Sequence, residues 1–322
     1  MIQRILVTGG SGLVGKALVA HAFDQGFQVR VSSRRQQVHT RSGLEFVSNF
    51  DLTSGSDWYS ILQDVNAVIH CAARVHVMRD NVPDPLAAFR AVNTAGTLNL
   101  ARQAAEVGVK RFIFISSIKV NGEFSPNNRA FSENDVAAPQ DAYGISKHEA
   151  EVGLREIAAS TGMEIVIIRP PLVYGPGVKA NFAALMRAVQ RGVPLPFGAV
   201  ENQRSLVALD NLVDLIVTCL THPAAANQTF LVSDGCDLST AELARRLGHA
   251  AGVPARLLPV PVWLLQACAR LLGKGDALQR VCGNLQVDIL KARNLLGWNP
   301  PVSVDQGLRR AVLGMKNDET NI

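Results

Sequence analysis

Tyr143 and Lys147 stand four residues apart in "AYGISKHEA", a stretch with a helical pattern. On a helix such a pair shares one face, with about 5–6 Å between Cβ atoms. A tyrosine at its reference pKa of about 10 is a poor base at neutral pH. A nearby ammonium favours the phenolate, so Lys147 is expected to lower the tyrosine pKa. The pair could then exchange a proton with an alcohol or carbonyl oxygen. Ser116 and Ser117 end the apolar run "FIFISS" and open a loop. A serine hydroxyl there could hold the same oxygen. Serine, tyrosine and lysine would support hydride transfer without a metal. A lone YxxxK on a surface helix means little, so the surrounding elements must decide.

Those elements alternate. "RILVTG", "FQVRVSS", "NAVIHCA", "KRFIFISS", "EIVIIRP" and "QTFLVSD" read as strands. Helical patterns fall between them, at about Leu86–Val107, Tyr143–Thr161 and Asn181–Arg191. Strand–helix alternation implies a doubly wound parallel α/β sheet with right-handed crossovers. In such sheets ligands bind at the carboxyl ends of the strands, where Ser116 and Ser117 would lie. After Pro170 the alternation fades, "RPPLVYGPG" reads as loop, and the chain is mostly helical from Leu238 onward. This divides the chain into a nucleotide-binding domain over 1–175, with 206–235 returning to it. A smaller, mostly helical substrate part covers 176–205 and 236–322.

"TGGSGLVG" places Gly9, Gly12 and Gly15 between the first strand and the first helix. Glycines there let backbone N–H groups approach a pyrophosphate at the positive end of the helix. The second strand ends at Ser33, followed by Arg34 and Arg35, where a carboxylate would grip a free ribose 2′-hydroxyl. A hydroxyl and a guanidinium would accept a 2′-phosphate instead. The expectation is NADP(H), carried by Ser33 and Arg34, with NAD(H) as the other possibility.

Composition narrows the remaining classes. With 48% hydrophobic and 18% charged residues, the 322-residue chain can bury a sizeable core. Its net charge of +5 is spread along the chain, which is no nucleic-acid signature. Five cysteines without a CxxC pair suit free thiols in a reducing compartment. The seven histidines show no HExxH spacing, so no metal site is expected. The start "MIQRILVTGG" reads as strand and turn rather than a leader. The apolar stretch from Val260 to Leu272 is too short and too polar to span a bilayer. A cytoplasmic protein with no nucleic-acid or membrane partner is the expectation.

With these motifs quoted, the chain resembles an extended short-chain dehydrogenase/reductase of the epimerase/dehydratase family, over nearly its whole length. The resemblance implies a Rossmann fold and a nicotinamide cofactor. It assigns cofactor contacts to Gly9, Gly12, Leu13, Val14 and Gly15 of the glycine loop, to Asp51 and Leu52 of "NFDLTS", to Ala72 and Ala73 of "HCAA", and to Pro170 of "RPPLVYG". It also places Tyr143 and Lys147 against the cofactor, with Lys147 on the nicotinamide ribose. It makes Ser117, Tyr143 and Lys147 catalytic, and lets Asn93 brace the local backbone or a water. Substrate contacts implied by the UDP-sugar branch are Ser117, Lys119, Asn181, Phe197, Arg204 and Arg280. The family also implies a homodimer packed through helices such as Leu86–Val107 and Tyr143–Thr161.

Two departures stand out. The strand-end motif S-S-x-x-V-Y-G has Asn121 at its tyrosine position, and Lys119 stands where sugar 4,6-dehydratases of the family have a carboxylate. A 4,6-dehydratase is therefore not expected. The resemblance implies oxidoreduction at C4 of a nucleotide-diphosphate sugar, a UDP-hexose or UDP-N-acetylhexosamine. The arginines favour a 4-keto-sugar reductase using NADPH, and the alternative is a 4-epimerase that keeps NAD. A hydroxyketone reductase ranks third, and a non-catalytic NADP-sensing protein is the option of another class.

Overall fold

The computed structural model describes residues 3–33, 42–48, 51–75, 82–126, 129–273 and 275–320. Seven parallel strands form one sheet: β1 (Arg4–Thr8), β2 (Gln28–Ser32), β3 (Leu44–Val47), β4 (Ala67–His70), β5 (Arg111–Ile115), β6 (Glu164–Arg169) and β9 (Thr229–Leu231). Their spatial order is β3-β2-β1-β4-β5-β6-β9. This is a doubly wound Rossmann sheet. Every residue of β4 and β5 is buried, because helices cover both faces. A separate parallel pair, β7 (Leu172–Tyr174) and β8 (Leu206–Ala208), lies outside the main sheet.

One apolar layer packs the sheet against α1 (Leu13–Asp24) and α7 (Leu209–Thr221). Leu285, Ile289, Leu296 and Trp298 join that layer from late in the chain. The other face is covered by α4 (Thr97–Glu106) and α5 (Ala142–Thr161), with α2 (Tyr59–Leu62) beside them. A third cluster unites α6 (Ala180–Gln190), α8 (Thr240–Ala251) and α12 (Val304–Thr320) around the stacked rings of Tyr174 and Phe182.

Helix α5 starts where the Asp141 side chain accepts from Gly144 N at 2.7 Å, and stops at Gly162, whose φ is +76°. The helix expected over 86–107 forms without a break, but not as regular α-helix throughout. It runs as α3 (Pro85–Phe89), a π-helical turn (Arg90–Gly96) and α4. The loop expected at "PPLVY" contains β7, whose pairing with β8 has no local signature.

Candidate active site

The site forms at the carboxyl ends of β1, β4, β5 and β6. Gly9 has φ +71°, and a Cβ there would lie 2.7 Å from Ala72 N. A Cβ on Gly15 would lie 2.2 Å from the Gly9 carbonyl, so the first turn of α1 packs into the loop. Gly12 precedes α1 with no side-chain hydrogen bond onto that helix end. The N–H groups of the first turn of α1 are therefore available to an anion. Leu13 and Val14 pack partly into the core. Ala72 N donates to Thr8 Oγ1 at 3.3 Å, and Ala73 lies half-buried beside it. Leu52 packs against Gly96, where any side chain would collide with it, and Asp51 is exposed. Ser33 is buried at the end of β2. This cradle fits a dinucleotide: backbone donors for a pyrophosphate, small residues beside it, and a buried hydroxyl residue, Ser33, just after β2. Arg34 lies outside the described residues, and with it the expected contact to a 2′-phosphate.

The register β5–β6 pairs Ile115 with Ile168, and Ser116 N donates to Ile168 O at 2.8 Å. Ser117 then starts a short 3₁₀ turn, Ile118–Val120, its Oγ accepting from Lys119 N at 3.2 Å. Ile118 N donates to the carbonyl of buried Pro170 at 3.0 Å. Across this loop lie Tyr143 and Lys147, in the first two turns of α5. Lys147 Nζ donates to Ile115 O at 2.8 Å and sits 4.3 Å from the Phe114 ring centroid. It is 6.0 Å from the Tyr143 ring centroid. Ser117, Tyr143 and Lys147 thus converge from β5 and α5.

The electrostatics reverse one expectation. Burial pushes the Tyr143 pKa up, and Asp141 pushes it further. Burial also lowers Lys147 to about 7. The spacing of the pair is as expected, but both side chains are desolvated, which disfavours either charge. Whatever makes Tyr143 a working base must offset that burial.

Asn93 braces backbone. Its Oδ1 accepts from Arg74 N at 2.8 Å, and its Nδ2 donates to Arg74 O and to Ser146 Oγ, each at 3.0 Å. The π turn aims it there, a common use of π turns at functional sites. Lys119 is no isolated cation. Its ammonium donates to Glu123 at 2.9 Å and to Asp141. Carboxylates therefore do reach this corner, from outside the Ser117–Lys119 segment, and Lys119 holds both.

The substrate candidates are distributed around this corner. Arg204, half-buried, donates to Gly283 O at 3.0 Å; burial lowers its pKa and nearby Glu123 opposes that shift. Arg280, on α10 (Gly275–Cys282), lies 4.0 Å from Glu123. Lys119, Arg204 and Arg280 are thus grouped around one carboxylate. Phe197 is half-buried on the third cluster. Asn181 is exposed at the start of α6, directly after Ala180, whose φ is +55°. A non-glycine residue in that region carries strain. Among the described residues, neither Asn181 nor Phe197 is hydrogen-bonded to, or in ring contact with, Ser117 or Tyr143.

Sequence inspection missed a buried network under the site. Glu151 is one helical turn after Lys147. Arg169 donates to it through Nε at 2.9 Å and Nη2 at 2.5 Å, and Ser116 Oγ donates to it at 2.6 Å. Arg169 Nη1 also donates to Asn121 Oδ1 at 2.9 Å. The unusual Asn121 is therefore an acceptor tying the catalytic loop to β6. His70, also missed, bonds Thr8 at 2.6 Å and Thr97 at 3.0 Å, and burial lowers its pKa to about 3. It stays neutral at physiological pH.

A parallel sheet with a glycine cradle and a serine, tyrosine and lysine at its strand ends defines a short-chain dehydrogenase/reductase enzyme. Residues 5–233 match the model of the NAD dependent epimerase/dehydratase family, and the chain belongs to it. It is 51% identical over 311 residues to a UDP-glucose 4-epimerase of Vibrio cholerae, covering 96% of this chain and 94% of the relative. It is 28% identical over 326 residues to an N-acetyl-alpha-D-glucosaminyl-diphospho-ditrans,octacis-undecaprenol 4-epimerase of Escherichia coli O157:H7, covering 97% and 95%. A solved UDP-glucose 4-epimerase of Thermotoga maritima, with UDP-glucose, superposes with a TM-score of 0.78 at 24% identity. That comparison covers 98% of this chain and 100% of that one and speaks to the fold.

Proposed function

We propose that this chain is an NAD-dependent 4-epimerase of a UDP-hexose or UDP-N-acetylhexosamine. The observation that carries the proposal is the convergence of Ser117, Tyr143 and Lys147 beside the glycine cradle. The Vibrio cholerae relative supports the 4-epimerase over the 4-keto-sugar reductase that Arg34 favoured. The family's NAD dependence likewise supports NAD rather than NADP. The Escherichia coli relative carries its sugar on a polyprenyl diphosphate, so the diphosphate is the handle common to both substrate types. Lys119, Arg204 and Arg280 are the cations grouped to meet it.

Gly9, Gly12, Gly15, Ser33, Ala72 and Lys147 would hold the dinucleotide. When bound, it supplies hydride acceptance and return at C4. Tyr143 takes the C4 hydroxyl proton during oxidation and gives it back during reduction. Ser117 holds the C4 oxygen in line with Tyr143. Lys147, fixed on Ile115 O and 6.0 Å from the Tyr143 ring centroid, would favour the phenolate only in its charged form, which burial disfavours. Asn93 fixes the Arg74 backbone opposite α5.

The reductase is the second possibility, favoured by Ser33 at the position of a ribose-binding carboxylate. Denaturing the purified protein and identifying the released nucleotide separates the two. Stoichiometric NAD, with interconversion of the C4 epimers without added cofactor, is the expected result. A protein that releases no nucleotide and consumes NADPH on a 4-keto sugar would overturn the epimerase.

A further inference from the structure

Helix α9 (Val262–Leu271) buries none of its residues fully. Val262, Leu265 and Ala269 are half-buried and form its inward side. The outward side carries Trp263, 68% exposed, Leu264, 39%, Leu271, 88%, and the following Leu272, 71%. Ala267 and Cys268 lie exposed between them. Positions i, i+1, i+4, i+5, i+8 and i+9 share one side of a helix, so these six residues make one continuous apolar face. Scattered exposed leucines are ordinary, but a contiguous stripe led by tryptophan marks an interaction surface.

In sequence the charge around it is mainly positive. From residue 243 to 275 the chain has Arg245, Arg246, Arg256, Arg270 and Lys274 and no Asp or Glu, although Asp276 follows directly and Arg245 and Arg246 are paired with Glu242 and Asp305. Arg256 and Arg270 are exposed. An apolar face with tryptophan and leucine, bordered by cations, is the composition of a helix lying in the headgroup region of an anionic bilayer. Read only as a bilayer span this stretch fails, and among the described residues no helix is long and apolar enough to cross a membrane. Lying on the surface asks for less.

We propose that the exposed face of α9 docks this protein on an anionic lipid surface. The position fits the site already described. Helix α9 packs on α10, which carries Arg280. Gly283, just after α10, accepts from Arg204 and from Asn202, each at 3.0 Å. Docking through α9 therefore sets the diphosphate-binding candidates close to the lipid surface, where a sugar on a lipid diphosphate would be presented. The docking itself is independent of which substrate the site takes.

The three tryptophans make the test direct. Trp58 and Trp298 are 1% and 5% exposed, so a change in emission on adding vesicles reports Trp263. Full-length protein is mixed with phosphatidylglycerol–phosphatidylethanolamine vesicles and, separately, phosphatidylcholine vesicles. Cosedimentation and a blue-shifted emission with the anionic vesicles, weakened by salt, are expected. Leu271→Ser/Leu272→Ser should lower the partition coefficient at least about tenfold and leave turnover of a soluble sugar nucleotide unchanged. Absence of binding by the wild type, or equal binding by the variant, overturns the proposal. So does a dimer in solution that the variant dissociates, because a second copy would then cover the face.

Discussion

Lys119 reaches from the loop after β5 to Asp141, the residue that caps the helix carrying Tyr143. Its backbone N–H meanwhile donates to Ser117 Oγ. One residue thus touches the hydroxyl proposed to align the substrate and the carboxylate that raises the tyrosine pKa. Lys119→Met should leave Asp141 less neutralised and raise the Tyr143 pKa further. The acid limb of the pH–rate profile should move to higher pH. Asp141→Asn should move it lower while the asparagine keeps the helix cap. Profiles of kcat for both variants check this, and shifts in the same direction would refute it.

Tyr143→Phe should lower kcat by about 10²–10⁴. The ring contact with Phe89, at 6.0 Å between centroids, survives the change, so stability and nucleotide binding should persist. Turnover and nucleotide content, measured on the same preparation, decide the point.

Lys147 gives stability a pH signature. Burial holds its pKa near 7 in the folded protein, against about 10.4 for an exposed lysine. Between those values the unfolded chain binds more protons, so stability rises with pH. Below about 7 both states are charged and the burial cost is fully present. Lys147→Met should remove this rise. Above pH 10 the raised Tyr143 pKa acts with the opposite sign, and stability should fall with pH. Urea titrations of nucleotide-free protein across pH 6–10, wild type against variant, measure the difference.

Arg169→Met should destabilise the fold toward the lower end of about 3–5 kcal/mol, because it leaves Glu151 charged and buried. Arg155, 3.0 Å from Glu151, offsets part of the loss. Arg169→Met/Glu151→Met should recover much of it. Denaturant midpoints for the two variants test this, and a double variant no better than the single would contradict it.

The sheet, the glycine loop and the Tyr143–Lys147 pair were legible because each is local: apolar runs, a strand–helix junction, a spacing of four. The ionisation state of that pair was not, since spacing carries no information on burial. Asn121 stood out only as a departure; its bond to Arg169 is made across 48 residues. Strands β3, β7 and β8 are four residues or fewer and take their conformation from partners distant in sequence. Lys119 read as a bare cation although Glu123 stands four residues on; its second partner, Asp141, reaches it across 22 residues.

The π turn at Arg90–Gly96 has the form of an α-helix that has absorbed one additional residue. Removing one residue there would restore the regular hydrogen-bond ladder. It would also turn Asn93 about 100° around the axis relative to one end of the helix. Either its hold on Arg74 or the packing of α4 would be lost. Length in this segment is therefore a functional character in its own right: a shortened version could fold with better helical geometry and have no site.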